Sequence, residues 1–313
     1  MPSIRDELAE VARGWRWGRR ALTPRDAEPH TPQREAWSFP TDWARSEAAT
    51  AVREAILRFG MRPLIESELS LDVHGLDSLD GVRKPVIFVS NHTSHLDATI
   101  IMSTLPPEWQ RSTAVGAAKD YFFDVWWRQA FTALVYAGFP IDRTGGGKAT
   151  ATARSLLEDG WSLVVFPEGA RSAEGWMQRF RHGAARLAIE VQVPVVPIAI
   201  RGAYSAMPKG RFWPRAGRPP VSVRYGAPLS PVEGESHQDL SRRMTQAVAR
   251  LHDEDRTTWW DSLQRSERGE TPSLSGPKGP RWLRTWEASR PITRRGRRPV
   301  SYTHLTLPTT PYV

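Results

Sequence analysis

The feature that most restricts this chain is an alternation. Between about Lys84 and His252, short runs rich in Val and Ile are separated by stretches with helical periodicity. The runs are VIFVS (86–90), STAVGAA (112–118), SLVVFP (162–167), VPVVPIAI (193–200) and VSVRYG (221–226). Helical patterns begin at His95, occupy about Phe122 to Ala137, Thr150 to Glu158 and Ala184 to Val191, and close the zone. Strands that are apolar without alternation are buried on both faces, and strands separated by helices build βαβ units. The expected fold is α/β, with a largely parallel central sheet flanked by helices. Functional groups then belong at the C-terminal ends of the strands.

At 313 residues the chain has room for two domains, but one α/β domain over 61–255 with two basic arms accounts for the pattern equally well. Residues 1–60 mix Arg, Trp and Pro, contain a helical stretch from Glu47 to Phe59, and read as an amphipathic or loosely packed arm. From 256 to 313 Pro, Gly, Ser and Arg dominate. Lys278, Arg281, Arg284, Arg290, Arg294, Arg295, Arg297 and Arg298 face only Glu287 as an acid, the composition of a disordered basic tail. The last residues, SYTHLTLPTTPYV, lose that basic character and read as non-native.

Cysteine is absent, which excludes disulfides, a thiolate nucleophile and Cys-ligated zinc. No segment reaches the roughly 18 apolar residues of a membrane-spanning helix, and the N-terminus lacks an apolar signal core. The expected address is cytoplasmic, at the inner face of a membrane. A net charge of +9 favours an anionic partner, either a membrane surface, a phosphorylated small molecule or nucleic acid. Fourteen tryptophans beside Arg and Lys favour lipid headgroups and make nucleic acid the weaker choice.

Three segments at strand ends carry chemistry. In NHTSHLD (91–97), Ser94 and Asp97 have capping-box spacing, so Asp97 either caps the helix start or orients His92 as a general base. The two side chains meet only if the chain bends where the helix begins, since five positions on a continuous helix diverge by more than a quarter turn. A metal set of His92, His95 and Asp97 lacks an HExxH helix or a third histidine, and Ser94 lacks a G-x-S-x-G elbow; neither is preferred. In GFPIDRTGGGK (138–148), Arg143 and the glycines at 145–147 suit a phosphate, although the segment is not a P-loop. In FPEGARS (166–172), Glu168 and Arg171 form either a surface ion pair or a polar substrate contact.

Together these segments resemble the glycerolipid acyltransferases. NHTSHLD resembles their NHxSxxD block, GFPIDR their G-x-F-I-x-R block, FPEGARS their F-P-E-G-T-R-S block and VPVVPIAI their V-P-V-x-P-V block, in family order. Pro140 and Ala170 depart from the pattern. The resemblance implies that His92 takes the proton of an acceptor hydroxyl, with Asp97 orienting the imidazole, and that Arg143, Glu168, Gly169 and Arg171 hold the acceptor's phosphate and glycerol. Lys119, at the end of STAVGAAK, is a helper for phosphate or carrier. The implied reaction passes an acyl group from acyl-CoA or acyl carrier protein to 1-acylglycerol-3-phosphate, giving phosphatidic acid, with no cofactor or metal. Glycerol-3-phosphate or another lysophospholipid are alternative acceptors, and the alternative of another class is a non-catalytic basic protein that binds membrane or nucleic acid.

Overall fold

A computed structural model describes residues 41–118, 126–141 and 147–292, the side chains of 127 and 147–149 excepted. Lys119, Arg143, Trp15, Trp17, Arg19 and Arg20 lie outside the described residues, as do the tail beyond Ile292 and the final residues.

Seven strands form one sheet in the order β1-β7-β6-β2-β5-β3-β4. They are β1 (Ser70–His74), β2 (Ile87–Ser90), β3 (Thr113–Ala118), β4 (Phe139–Ile141), β5 (Ser162–Val165), β6 (Val195–Arg201) and β7 (Pro220–Tyr225). Every neighbouring pair is parallel except β6 with β7. The exception has a local cause. Only a short helix, Ala203–Ala206, and a loop link β6 to β7, so no full-length helix carries the chain back across the sheet.

The centre of the sheet is buried on both faces, as the unbroken apolar runs require. Along β2, Phe88 enters one core cluster while Ile87 and Val89 enter the other; along β6, Val196 and Ile198 oppose Val195 and Ala199 in the same way. Helix α3 (Leu96–Thr104) follows β2, and seven of its nine residues are buried, so it is a core element with almost no solvent face. Helices α5 (Trp126–Tyr136), α6 (Gly147–Glu158), α7 (Gly183–Val191) and α9 (His237–Arg256) flank the sheet. The weakly patterned strands β1 and β4 escape a reading based on apolar runs: SLDVH alternates at an edge, and FPI has three residues.

Two regions differ from expectation. Helix α1 (Glu47–Ala55) runs through a π-helical turn (Ile56–Met61) into α2 (Arg62–Glu68), and this described part of the expected N-terminal arm is packed into the domain. Leu57 and Ile65 join the core. Arg53, 1 % exposed, gives its Nε hydrogen to the Leu134 carbonyl of α5 at 2.8 Å and an Nη2 hydrogen to the Ala44 carbonyl. Its cationic head replaces water with carbonyls, which is why an arginine tolerates that depth. Residues 256–292 are likewise ordered rather than disordered. Helix α10 (Trp259–Glu267) is capped by Thr258, and α11 (Arg281–Ala288) docks through Arg284 onto the loop after β5. Composition alone does not see those particular contacts.

Candidate active site

The NHTSHLD turn lies at the C-terminal end of β2, the strand end where an open α/β sheet places functional groups. Asp97, in the first turn of α3, is fully buried, and its Oδ2 accepts hydrogens from Thr93 N (2.7 Å), Ser94 N (2.8 Å) and His92 Nδ1 (2.9 Å). The capping and catalytic readings are therefore one arrangement. The amides that a helix N-terminus leaves over fix the carboxylate, and the carboxylate fixes the imidazole. Because Oδ2 accepts, Nδ1 must carry the hydrogen and Nε2 keeps its lone pair. Ser94 makes the bend: its Oγ accepts from Leu96 N at 3.3 Å and donates to the Met207 carbonyl at 2.8 Å.

The FPEGARS loop after β5 grips the same turn. Glu168, 3 % exposed, accepts from His92 N at 2.7 Å through Oε1 and from Gln178 N at 2.9 Å through Oε2. Ser172 N donates to the His92 carbonyl at 2.9 Å, so both backbone groups of His92 are held by one loop. Phe166 stacks on the imidazole, with ring centroids 4.1 Å apart and planes 20° from parallel. Asn91 ties the other side to β6, its amide exchanging two 2.9 Å hydrogen bonds with the backbone of Ile200.

This geometry revises the role of Glu168. Both carboxylate oxygens are occupied by backbone amides, so the residue braces His92 rather than facing a ligand. Burial lifts its pKa to about 8; the two N–H donors oppose the shift and the nearby Asp97 charge adds to it. Gly169 serves the backbone of the same loop. At φ +77° it sits in the left-handed region, and a Cβ there would stand 2.9 Å from the Arg181 guanidinium. Gly169 and Arg171 both line the cavity in front of His92.

That cavity measures about 500 Å³ and continues from His92 and Phe166 past Arg171 over β3 to α5. Its walls are largely apolar, including Val115, Ile141, Phe131 and Tyr136, with Arg128 and Lys209 as cations. Gly116 allows the walls to close, since a Cβ on it would lie 2.1 Å from Ile141 Cδ1. The aromatic helix thus builds the cavity wall. His95 lines the cavity too, and burial, reinforced by the charges of Arg171 and His92, lowers its pKa to about 4 and keeps it neutral. Among the described residues no three His, Asp or Glu side chains converge as a metal set.

Sequence reasoning missed Phe166 as a stacking partner and Arg128, Lys209 and Phe212 as cavity residues. Phe166 was legible as the last apolar residue of its strand run; the others come from segments distant in sequence.

A largely parallel sheet thus presents a hydrogen-bonded His–Asp pair beside a mostly apolar cavity, within an α/β domain. Comparison with known proteins shows what this domain is similar to. Residues 70–201 match the Acyltransferase family model. Curated relatives include 1-acyl-sn-glycerol-3-phosphate acyltransferase alpha from Mus musculus (37 % identity, 50 % of this chain and 54 % of the relative). The 1-acyl-sn-glycerol-3-phosphate acyltransferase of Limnanthes alba is 32 % identical over 47 % of this chain and 51 % of its own. This chain spans about half the length of the curated relatives it matches. The crystal structure of the 1-acyl-sn-glycerophosphate (LPA) acyltransferase PlsC from Thermotoga maritima superposes with a TM-score of 0.53 at 23 % identity, covering 70 % of this chain and 88 % of that one, a likeness of fold. Over residues 70–201 the chain is therefore similar to the Acyltransferase family.

Proposed function

We propose that the protein transfers a fatty acyl group from acyl-CoA or an acyl carrier protein to the free hydroxyl of 1-acylglycerol-3-phosphate, forming phosphatidic acid. The supporting observation is the 2.9 Å contact from His92 Nδ1 to Asp97 Oδ2 beside a long, mostly apolar cavity that also holds Arg171 and Lys209. The relatives named for this activity agree with the reading.

In this mechanism Nε2 of His92 removes the acceptor hydroxyl's proton as the oxygen attacks the thioester carbonyl. Asp97 stabilises the imidazolium that forms, as the acid does in a serine-protease triad. The tetrahedral intermediate then collapses, the C–S bond breaks, and His92 returns the proton to the departing thiolate. The acceptor's hydroxyl is the nucleophile, so no acyl-enzyme is required. Arg171, with Arg143 and Lys119 from outside the described residues, meets the phosphate, and the apolar walls take acyl chains.

The substrates are amphiphiles, and the described residues contain no helix long and apolar enough to cross a membrane. The proposal therefore includes peripheral association with an anionic membrane surface through exposed aromatic residues and basic charge. Purified protein incubated with acyl-CoA and a panel of acceptors, with product masses read directly, tests the activity. Phosphatidic acid from 1-acylglycerol-3-phosphate is expected. Turnover confined to glycerol-3-phosphate or to another lysophospholipid would reassign the acceptor, and no acyl transfer to any acceptor would refute the reading.

A further inference from the structure

The family-model match ends at Arg201, yet the polypeptide that braces the catalytic turn extends far beyond it. After α10 the chain returns across the loop that follows β5. Arg284 is the centre of that return. Its Nε donates to Glu174 Oε2 at 2.6 Å, its Nη1 to the Pro277 carbonyl at 2.8 Å and its Nη2 to the Ser275 carbonyl at 2.9 Å. The carbonyl of Arg284 accepts the Trp176 indole hydrogen at 2.9 Å, and Met177 N donates to the Leu274 carbonyl at 3.1 Å. The surfaces fit closely: a Cβ on Gly175 would lie 2.6 Å from the Ala288 Cβ, and one on Gly276 would lie 2.5 Å from the Trp176 ring.

The gripped segment is the one that holds Glu168. Gln178 N donates to Glu168 Oε2, and Glu168 Oε1 accepts from His92 N. Behind the turn, a cavity of about 310 Å³ is lined both by Asn91 and Thr93 and by Ala288, Arg290 and Ile292 of the strap. The strap therefore grips the segment that holds Glu168 and borders a cavity that Asn91 and Thr93 also line.

Its outer face has a different character. Trp282 and Trp286, four residues apart on α11, lie on the side opposite Arg284 and are 71 % and 56 % exposed. The Arg290 guanidinium is 5.4 Å from the Trp286 ring centroid, whereas Arg281 faces Glu174 at 3.8 Å on the inner side. Exposed indoles paired with guanidinium groups suit the headgroup layer of an anionic bilayer, where the ring sits at the interface and the cation meets phosphate.

We propose that residues 270–292 form a two-sided strap: its outer face, Trp282 and Trp286, meets an anionic lipid surface, and its inner face, through the positioning residue Arg284, steadies the turn that carries His92. The proposal rests on the acyltransferase reading only for its kinetic consequence. Lipid contact immobilises α11, α11 immobilises the 174–178 segment, and Glu168 passes that restraint to the backbone of His92.

The test uses the full chain, acyl-CoA and a short-chain, water-soluble 1-acylglycerol-3-phosphate. Vesicles of phosphatidylcholine, with or without phosphatidylglycerol, are added or omitted. Amide hydrogen exchange of the peptides covering 90–98, 174–178 and 281–292 is followed in parallel. For R284A the expectation is a kcat lowered about 10-fold with an acceptor KM changed less than about twofold, and faster exchange at 90–98. R284K keeps the charge but not the three-way fork, so it should remain close to R284A. Should R284A unfold, R284K carries the same comparison. Anionic vesicles should slow exchange at both 281–292 and 90–98 in the wild-type protein, and W282A/W286A should abolish both effects. Wild-type exchange at 90–98 in the Arg284 variants overturns the positioning role. Vesicle protection of 281–292 that leaves 90–98 unchanged overturns the coupling, and vesicle protection that survives W282A/W286A overturns the lipid-facing assignment. Absence of acyl transfer by the wild-type protein refutes the activity alone, because exchange still decides the strap.

Discussion

Asp97 Oδ2 collects three hydrogens, so one buried carboxylate both starts a helix and fixes the His92 imidazole. H92A removes the proton acceptor while leaving the backbone clamp, so acyl transfer should vanish with the thermal midpoint nearly unchanged. D97N presents an amide whose carbonyl and NH2 cannot serve all three donors and the correct tautomer together. Its kcat should fall roughly 10²–10⁴-fold. Steady-state kinetics with a circular-dichroism melt check both variants; substantial turnover by H92A would end the general-base mechanism. Glu168 makes a separate, pH-dependent prediction. Its pKa is raised by burial to about 8, so its neutral form is the one the fold favours. That stabilising contribution is complete below the unfolded carboxyl range near 4.5 and is lost as pH rises through about 8. Denaturant titrations from pH 5 to 9 should show wild-type stability falling relative to E168Q across that window. E168Q also turns an NH2 toward one of the two amides, and its kcat should drop as the His92 brace loosens. A stability difference that is flat with pH would contradict the burial effect.

At the element scale, α1 is held to the domain by Arg53, whose hydrogens go to carbonyls of α5 and of the turn before α1. Burial lowers its pKa to about 10, which still leaves it cationic at neutral pH. Arg53→Met fills part of the volume but strands Leu134 O and Ala44 O. A loss of roughly 2–4 kcal/mol in unfolding free energy is expected from a urea midpoint, because buried hydrogen bonds from a charged donor are costly to break. A loss under about 0.5 kcal/mol, the range of ordinary surface substitutions, would show that the helix is retained by its apolar face alone. Because α5 forms one wall of the substrate cavity, a looser α1 should also raise the acceptor KM more than it lowers kcat. The element furthest from its sequence expectation is α11: Pro, Gly, Ser and Arg suggest disorder, yet Arg284 finds three acceptors that lie outside its own helix.

Over the whole molecule, the charge of +9 and the exposed aromatics Phe131, Phe212, Trp282 and Trp286 favour an anionic interface. Phe131 and Phe212 also line the cavity beside His92, and under the proposed function they offer apolar surface to an amphiphilic substrate. Full-length protein should sediment with phosphatidylglycerol vesicles at low salt and be released as ionic strength approaches about 1 M, where the screening length falls to about 3 Å. Tighter binding to nucleic acid than to such vesicles would instead assign the basic charge to a polynucleotide.

The amino-acid sequence by itself determined the sheet's central strands, their two-sided burial and the functional strand ends, because apolar periodicity and motif spacing are local properties. NHTSHLD also carried within itself the histidine, the carboxylate that contacts it and the serine at the bend. What only the tertiary structure decided are the relations between distant segments. Glu168 became a brace because Gln178 N and His92 N both reach it, Phe166 became a stacking partner because β5 lies beside β2, and the cavity exists because α5 approaches β3. The ordered strap has the same origin. A polar, glycine-rich composition predicts disorder when no apolar face is available for burial, but Arg284, Gly175 and Gly276 derive their fit from surfaces some hundred residues apart in the chain.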